Sequence, residues 1–352
     1  MRFDPPFCPN TACERHREPG GRFYKRHGFF LAACRDTPTP RFLCRGCGRS
    51  FSSQTFRQDY RDRRPEVNLP LTERLVSSTG YRQLARTLGI GVSAVQRKAR
   101  KLARHAGLLH QNLSRHLPVG RTFVLDEEET YEQASIRTLT MPVVIEKDSW
   151  FVVATAVGPI RRLAAAGTAR RRWQDHDERK HGKRADHSRE CVEQVLRELD
   201  GKLAGHRLVL RTDEKASYAT LAKEVFGDRV THERTSGQAP RTPRNPLFPI
   251  NTTLAMTRDN CGRLRRKSWL VTKKAEFLQL HVQQFQVYRN YIRKRFNRDK
   301  EDKSPAVHLN LLPRSLRFPD AIRWRQDWGL GSLHPLCVAG VRRIQDGIQK
   351  AG

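Results

Sequence analysis

Apolar positions recur along this chain at two periods, and the change of period marks its organisation. From Leu69 to Leu109 they return every three or four residues, the helical spacing. Within that stretch Tyr81–Arg97 reads as two helices joined at Gly89. Leu84, Ala85 and Leu88 form the inner face of the first, and Val95, Ala99 and Leu102 that of the second. Ala85 is small enough for a close crossing, Gly89 suits the turn, and Ser93 is placed to cap the second helix. From Thr122 the pattern becomes β-like. Strands are predicted at Thr122–Glu127, Leu139–Glu146 and Trp150–Val157, with a turn at Lys147-Asp148-Ser149 between the last two. A helix is predicted over Ser188–Leu203, with Cys191, Val192, Val195, Leu196 and Leu199 on one face and Cys191 as core. A strand at Arg207–Thr212 follows, then a helix at Tyr218–Phe226 and a short strand at Arg229–His232. A long helix at Lys274–Asn297 carries Phe277, Phe285, Tyr288, Tyr291 and Phe296, spaced as core aromatics.

The remaining segments are polar. Residues 1–60 hold two cysteine pairs, 61–68 read as a linker with Pro65, and 110–121 as a short connection. Gly158–Ala185 is a basic, low-order interval in which His176, His181 and His187 lack ligand spacing. Ser236–Pro249 is a loop rich in Pro, Arg and Gly. Residues 301–352 form a C-terminal appendage, in which Cys337 has no evident partner.

Charge adds a partner. The chain has 352 residues, with 67 Lys and Arg against 36 Asp and Glu, a formal net charge of +31. So positive a surface attracts polyanions, which favours nucleic acid over a merely soluble basic protein. The outward positions Gln96, Arg97, Arg100, Lys101 and Arg104 lie on the groove-facing side of the second helix. Arg289, Arg293, Lys294 and Arg295 read as exposed and able to track a DNA backbone. No apolar run reaches the ~20 residues of a membrane span, and the N-terminus lacks a signal-peptide core. The expectation is a cytoplasmic, nucleoid-associated prokaryotic protein without a membrane partner.

Two constellations carry chemistry. Cys8 and Cys13, with Cys44 and Cys47, supply four thiolates for a tetrahedral zinc site. Four thiolates leave no open position, so such a zinc is structural. Residues 1–60 also hold few large apolar side chains from which to build a core unaided. Cys34 lies between the pairs as a spare thiol or substitute ligand. The second constellation is acidic. Asp126 closes the run Thr122–Leu125 ahead of Glu127, Glu128 and Glu129, and Asp213 closes Leu208-Val209-Leu210. Either alone is a strand-end cap, but together two such carboxylates can hold a pair of divalent ions for phosphoryl transfer.

These pieces, in this order, resemble the DDE transposases of insertion sequences, nearest to the insertion-sequence-one type. The resemblance rests on Cys44–Ser52, Tyr81–Arg97, Leu125–Glu132, Thr212-Asp213 and Asn251–Trp269, most tellingly on Arg263-Leu264-Arg265-Arg266-Lys267-Ser268. It implies an α/β chain: a zinc ribbon over 1–60, a helix-turn-helix over 69–110, an RNase H-like catalytic domain over 120–300 and the appendage. In that fold the three strands from Thr122 are the opening meander, and the first and fourth strands are neighbours. The resemblance further implies binding of element ends and target as double-stranded DNA, Mg²⁺ or Mn²⁺ as catalytic ions, and a homo-oligomer. Asp126 and Asp213 become the first and second metal-binding acids. The family's third acid, a glutamate, falls on Asn251, with Asp259 and Glu276 as alternatives. Arg263 and Arg266 join Gln96, Arg97, Arg100 and Lys101 as candidate DNA contacts. If no third acid reaches the site, the alternative is an inactive, transposase-derived DNA-binding regulator; a structure-selective nuclease on the same fold is a further reading.

Overall fold

The computed structural model describes residues 3–31, 36–240, 242–266 and 269–324. Cys34, Lys267, Ser268, Cys337 and the appendage from residue 325 lie outside them. After a short helix, α1 (Glu14–Arg17), an antiparallel sheet runs in the order β1 (Tyr24–Phe30), β2 (Thr39–Cys44), β3 (Ser50–Ser52). Contrary to expectation, this unit is rich in large apolar side chains: its buried rings pack on one another and join the apolar cluster that continues into the rest of the chain. Phe7 meets Phe56 at 5.3 Å, Tyr24 meets Phe42 at 5.3 Å and Phe23 meets Tyr24 at 5.2 Å, all edge to face. Phe3 and Phe51 complete the group. The aromatics are dispersed in sequence and converge only when the sheet forms.

Three helices follow: α2 (Asn68–Leu75), α3 (Tyr81–Leu88) and α4 (Val92–Leu113). Leu71, Leu75, Leu84, Ala85, Val95, Ala99 and Leu102 form their shared core. Gly89 ends α3 at φ +61°, a left-handed turn suited to glycine. Ser93 does not cap α4: Gly91 is the N-cap, with no side-chain bond, and Ser93 lies inside the first turn. Residues 61–68 are not a free linker either. Lys98, buried on α4, pairs with Asp62 at 2.6 Å and donates to the Arg64 carbonyl and to Asn68, fixing that segment to the helix. The expected connection at 110–121 starts late, because α4 runs 22 residues, to Leu113.

The large sheet is RNase H-like. Its strands are β4 (Thr122–Tyr131), β5 (Thr138–Glu146), β6 (Val152–Thr155), the two-residue β7 (Gly158–Pro159), β8 (Leu208–Thr212) and β9 (Val230–Arg234). The order is β6-β5-β4-β8-β9, with β7 on β5. The first three form the expected antiparallel meander; β8 and β9 join parallel to β4, so the first and fourth long strands are neighbours. Between β7 and β8 lie α5 (Ala169–His181) and α6 (Ser188–Leu203), and between β8 and β9 lies α7 (Ala216–Phe226). α5 falls within the interval read as low-order; its order comes from Arg137 and Arg161, which fork onto its Asp177 and Glu178. α6 occupies its predicted residues. Cys191 is buried core, its thiol pushed up to about 11 by burial, and Gly158 clears the space it fills.

Helices α8 (Phe248–Asn260) and α9 (Ala275–Val287) cover the opposite face. α9 is shorter than predicted: a π-helical turn, Tyr288–Ile292, continues it and Arg293 leaves it in an extended conformation. Arg289 is fully buried rather than exposed, and Arg295 is tied to Asp299 and the Asp148 carbonyl. The described part of the tail, with α10 (Pro305–His308) and α11 (Phe318–Arg323), docks back onto the helices. There Phe318 stacks on Tyr288, and His105 of α4 meets the Ala321 carbonyl at 2.7 Å. Among the described residues no helix is long and apolar enough to cross a membrane.

Candidate functional site

β4 is a strand of split allegiance. It pairs with β5 along its whole length, to Tyr131↔Thr138, but its ladder with β8 stops at Val124↔Arg211. Asp126 is therefore not at a strand end, as the sequence implied; it sits mid-strand, where β8 departs. Carried two residues further, the same register sets Asp126 beside Asp213, just past the end of β8. Their proximity is visible in the electrostatics. Burial first, and then the charges of Asp213, Glu127 and Glu128, push the Asp126 carboxyl up to about 6 against the one lowering contact, the Glu127 N–H at 2.7 Å. A cation between the two carboxylates would relieve that repulsion, so the donor set fits a divalent ion.

Period-two alternation sends the neighbouring glutamates to opposite faces. Glu127 faces α6 and α7, almost wholly buried, and accepts from Lys215 Nζ, Tyr218 Oη (2.9 Å), Thr140 Oγ1 and Ser188 Oγ. Lys215 also donates its backbone N–H to Asp213 Oδ1 at 3.0 Å. One lysine thus ties the turn carrying Asp213 to the strand carrying Asp126. Glu128 shares the Asp126 face. Arg258 of α8 and Arg266 (3.1 Å) clamp it, and Arg266 also reaches the Glu129 carbonyl. Sequence reasoning missed both networks. The alternation of Asp126–Glu129 and the spacing Asp213, Lys215, Tyr218 were the available signals.

Asn251 lies in the first turns of α8, half-buried, seven residues before Arg258 and so on the same helix face. No hydrogen bond engages its amide among the described residues. The alternatives are directed elsewhere: Asp259 is exposed beside Arg265 at 4.0 Å, and Glu276 pairs with Arg100 of α4 at 3.0 Å.

The four cysteines converge. Cys8, Cys13, Cys44 and Cys47 hold their sulfurs within 4.8 Å of one another, at 3.7 Å for Cys8–Cys47 and 3.8 Å for Cys13–Cys44. A tetrahedron of ~2.3 Å zinc–thiolate bonds has edges of about 3.8 Å, so the cluster is consistent with a structural zinc. Two tight turns build it: Cys13 N–H bonds the Asn10 carbonyl, and Gly48, at φ +68°, returns its N–H to the Cys44 carbonyl. Burial raises the Cys47 thiol, but bonds from the Arg49 N–H and Asn10 outweigh it and bring it down to about 7.

The expected DNA contacts divide. Gln96, Arg97 and Arg104 are exposed on α4. Arg100 is exposed but paired to Glu276 and set over the Phe277 ring. Lys101 turns inward, donating to the Tyr60 carbonyl at 2.6 Å, because the segment before α2 folds over that side of α4. Arg263 lies over Tyr81 at 4.6 Å and over Phe277, in the seam between the three-helix unit and the large sheet. Arg266 is half exposed in the Glu128 clamp.

No family model matches the sequence, and no curated protein matches it. Among solved structures the chain is similar to the Mos1 transposase paired-end complex with left transposon end, at a TM-score of 0.24 and 14% sequence identity. That match covers 63% of this chain and 76% of the other. So loose a superposition says nothing of activity, and the strand order and register above stand without it.

Proposed function

We propose that this chain is a DNA transposase of the DDE class, encoded by an insertion element and related to the insertion-sequence-one type. The observation that carries the reading is the register of β4 and β8, which brings Asp126 and Asp213 together on a strongly basic protein. Asp126 and Asp213 are the metal-binding acids, with Asn251 as the neutral third oxygen donor from α8. Bound Mg²⁺ or Mn²⁺ would supply Lewis-acid charge to the phosphate and lower the pKa of the attacking group. The protein's own residues do the positioning. Lys215 and Glu127 hold the Asp213 turn against β4, and Arg258 and Arg266, through Glu128, hold the α8 side. In the first reaction water attacks the phosphorus at an element end, and the 3′-oxygen leaves as a hydroxyl. In the second that 3′-oxygen bonds to a target phosphorus and displaces the target's own 3′-oxygen. Gln96, Arg97, Arg100 and Arg104 contact element-end DNA, the zinc ribbon stabilises the N-terminal unit, and two or more copies assemble on the paired ends.

Asp126→Asn and Asp213→Asn are each expected to abolish Mg²⁺-dependent cleavage of element-end DNA while leaving its binding intact. Gel mapping of products and a binding isotherm on the same samples test this. Loss of binding together with cleavage would count against a purely catalytic role.

One observation favours a second reading. Asn251 is uncharged, Asp259 is solvent-directed, Glu276 is paired with Arg100, and Glu128 on the Asp126 face is held by Arg258 and Arg266, so among the described residues no third carboxylate stands uncommitted beside Asp126 and Asp213. A DNA-binding regulator descended from such an enzyme would look like this. Sequence-selective binding without cleavage or strand transfer in either Mg²⁺ or Mn²⁺ would establish it.

A further inference from the structure

The helix α5 has two faces of different chemistry. On its inner face every acid is spent. Asp177 takes a fork from Arg137 (2.6 and 3.1 Å), Glu178 takes another from Arg161 (2.8 and 2.9 Å), and Asp175 pairs with Arg171. Gln174, buried, bonds the Arg162 carbonyl and the Ala164 N–H, and Thr168 caps the first turn. The helix is thereby fixed to the sheet. Its outer face carries Arg172, Trp173, His176, Arg179 and Lys180, all exposed and at the spacing of one helix face. Among the described residues no ion pair neutralises Arg172, Arg179 or Lys180. Trp173 is 72% exposed, a large ring held open to water in the middle of these cations.

We propose that this face binds unpaired nucleobases of DNA, with Trp173 as a stacking platform and Arg172, Arg179 and Lys180 as phosphate contacts. The inference rests on the DNA-binding part of the proposed function and not on its catalytic part. Charge complementarity selects the partner: uncompensated cations around one exposed ring suit a strand that offers both phosphates and base faces. A paired, stacked duplex offers the phosphates but no free face for the indole. The location fits the same role. Arg162, which α5 grips through Gln174, bonds the Glu129 side chain at 2.9 Å, so α5 is anchored to the strand that carries Asp126, three residues along and on its other face. A base on Trp173 would have to be free of its partner strand. Cleaved or distorted DNA supplies such a base, and intact duplex does not.

The test uses the full chain and two DNA probes of the same sequence, one fully paired and one with a short single-stranded flap containing 2-aminopurine. The wild type is expected to bind the flapped probe more tightly and to quench its fluorescence. Trp173→Ala should weaken flapped binding about tenfold, abolish the quench and leave fully paired binding unchanged, while Trp173→Phe restores most of both. Equal binding of both probes by wild type and Trp173→Ala overturns the proposal. So does a Trp173→Ala variant whose only change is a lower oligomeric state in sedimentation, which would make the face a contact between copies of the chain. Cleavage is not needed for any of these readouts. A flap preference without cleavage leaves this inference standing and sinks the enzymatic one; cleavage lost in Asp126→Asn with no flap preference does the reverse.

Discussion

Asp126 carries a charge that its surroundings resist. The unfolded chain ionises it near the ordinary 3.8, whereas burial and three neighbouring carboxylates hold it near 6 in the folded protein. Above about 6 both states are ionised, and folding bears the full cost of the buried charge; below 3.8 both are protonated and the cost is gone. Asp126→Asn removes that charge. It is expected to stabilise the metal-free protein at neutral pH by about 2 kcal/mol, with the gain shrinking as pH falls from 6 toward 4. Thermal denaturation of both proteins across that range checks it, and equal melting at neutral pH would mean the carboxylate is not strained. At this scale the sequence was informative about identities and poor about partners. Asp126, Asp213 and the four cysteines stand out as types in unusual settings. Lys98 is buried against Asp62, and Arg289, read as exposed, is fully buried with no hydrogen-bond partner for its guanidinium among the described residues. Nothing within a few residues of either marks it as internal.

Elements were legible where one local period governed them and opaque where distant charges did. α6 has a clear apolar stripe and was found whole. α5 has none. Its order comes from Arg137 and Arg161 reaching Asp177 and Glu178, pairs separated by 40 and 17 positions. The N-terminal sheet is a mixed case, since its cysteine turns were visible and its ring core was not. That core changes what metal removal should do. Chelation is expected to raise amide exchange first in the turns at Cys8–Cys13 and Cys44–Gly48, with the ring-packed strands loosening afterwards and β4–β9 unaffected. Hydrogen exchange followed by mass spectrometry resolves these segments. Turns with unchanged exchange would rule out a bound metal.

At the scale of the whole molecule α4 decides the architecture. Its first half packs within the three-helix unit, and its second half enters the core of the large sheet. There Ala106, Leu109 and Leu113 join the apolar cluster beneath β6 and α6. His110, fully buried, bonds Tyr291 Oη and the Val153 carbonyl at 2.9 Å each; burial and then the nearby Lys202 charge hold it neutral. Gln284 of α9 bonds the Ala99 carbonyl, and His281 bonds that of Leu75. A fragment beginning at residue 120 is therefore expected to be insoluble, because it leaves that seat open. One beginning near Lys101 should fold. Soluble yield and size-exclusion profiles compare the two, and a well-behaved shorter fragment would refute the dependence. The sequence showed a change of period near residue 120 and so implied a boundary there. A helix that serves two cores in turn leaves no mark in its own periodicity.

A continuous α4 also limits how such a protein can be recombined. A crossover that exchanged the upstream helices for those of another chain at the apparent boundary would bring in a foreign second half of α4. His110 and its apolar neighbours would be lost from the far core. The viable junction lies inside the helix, between the Ala99 and Ala106 turns, where exchange of the upstream half leaves the downstream half intact. The upstream helices of this scaffold can be exchanged only through breaks at that point.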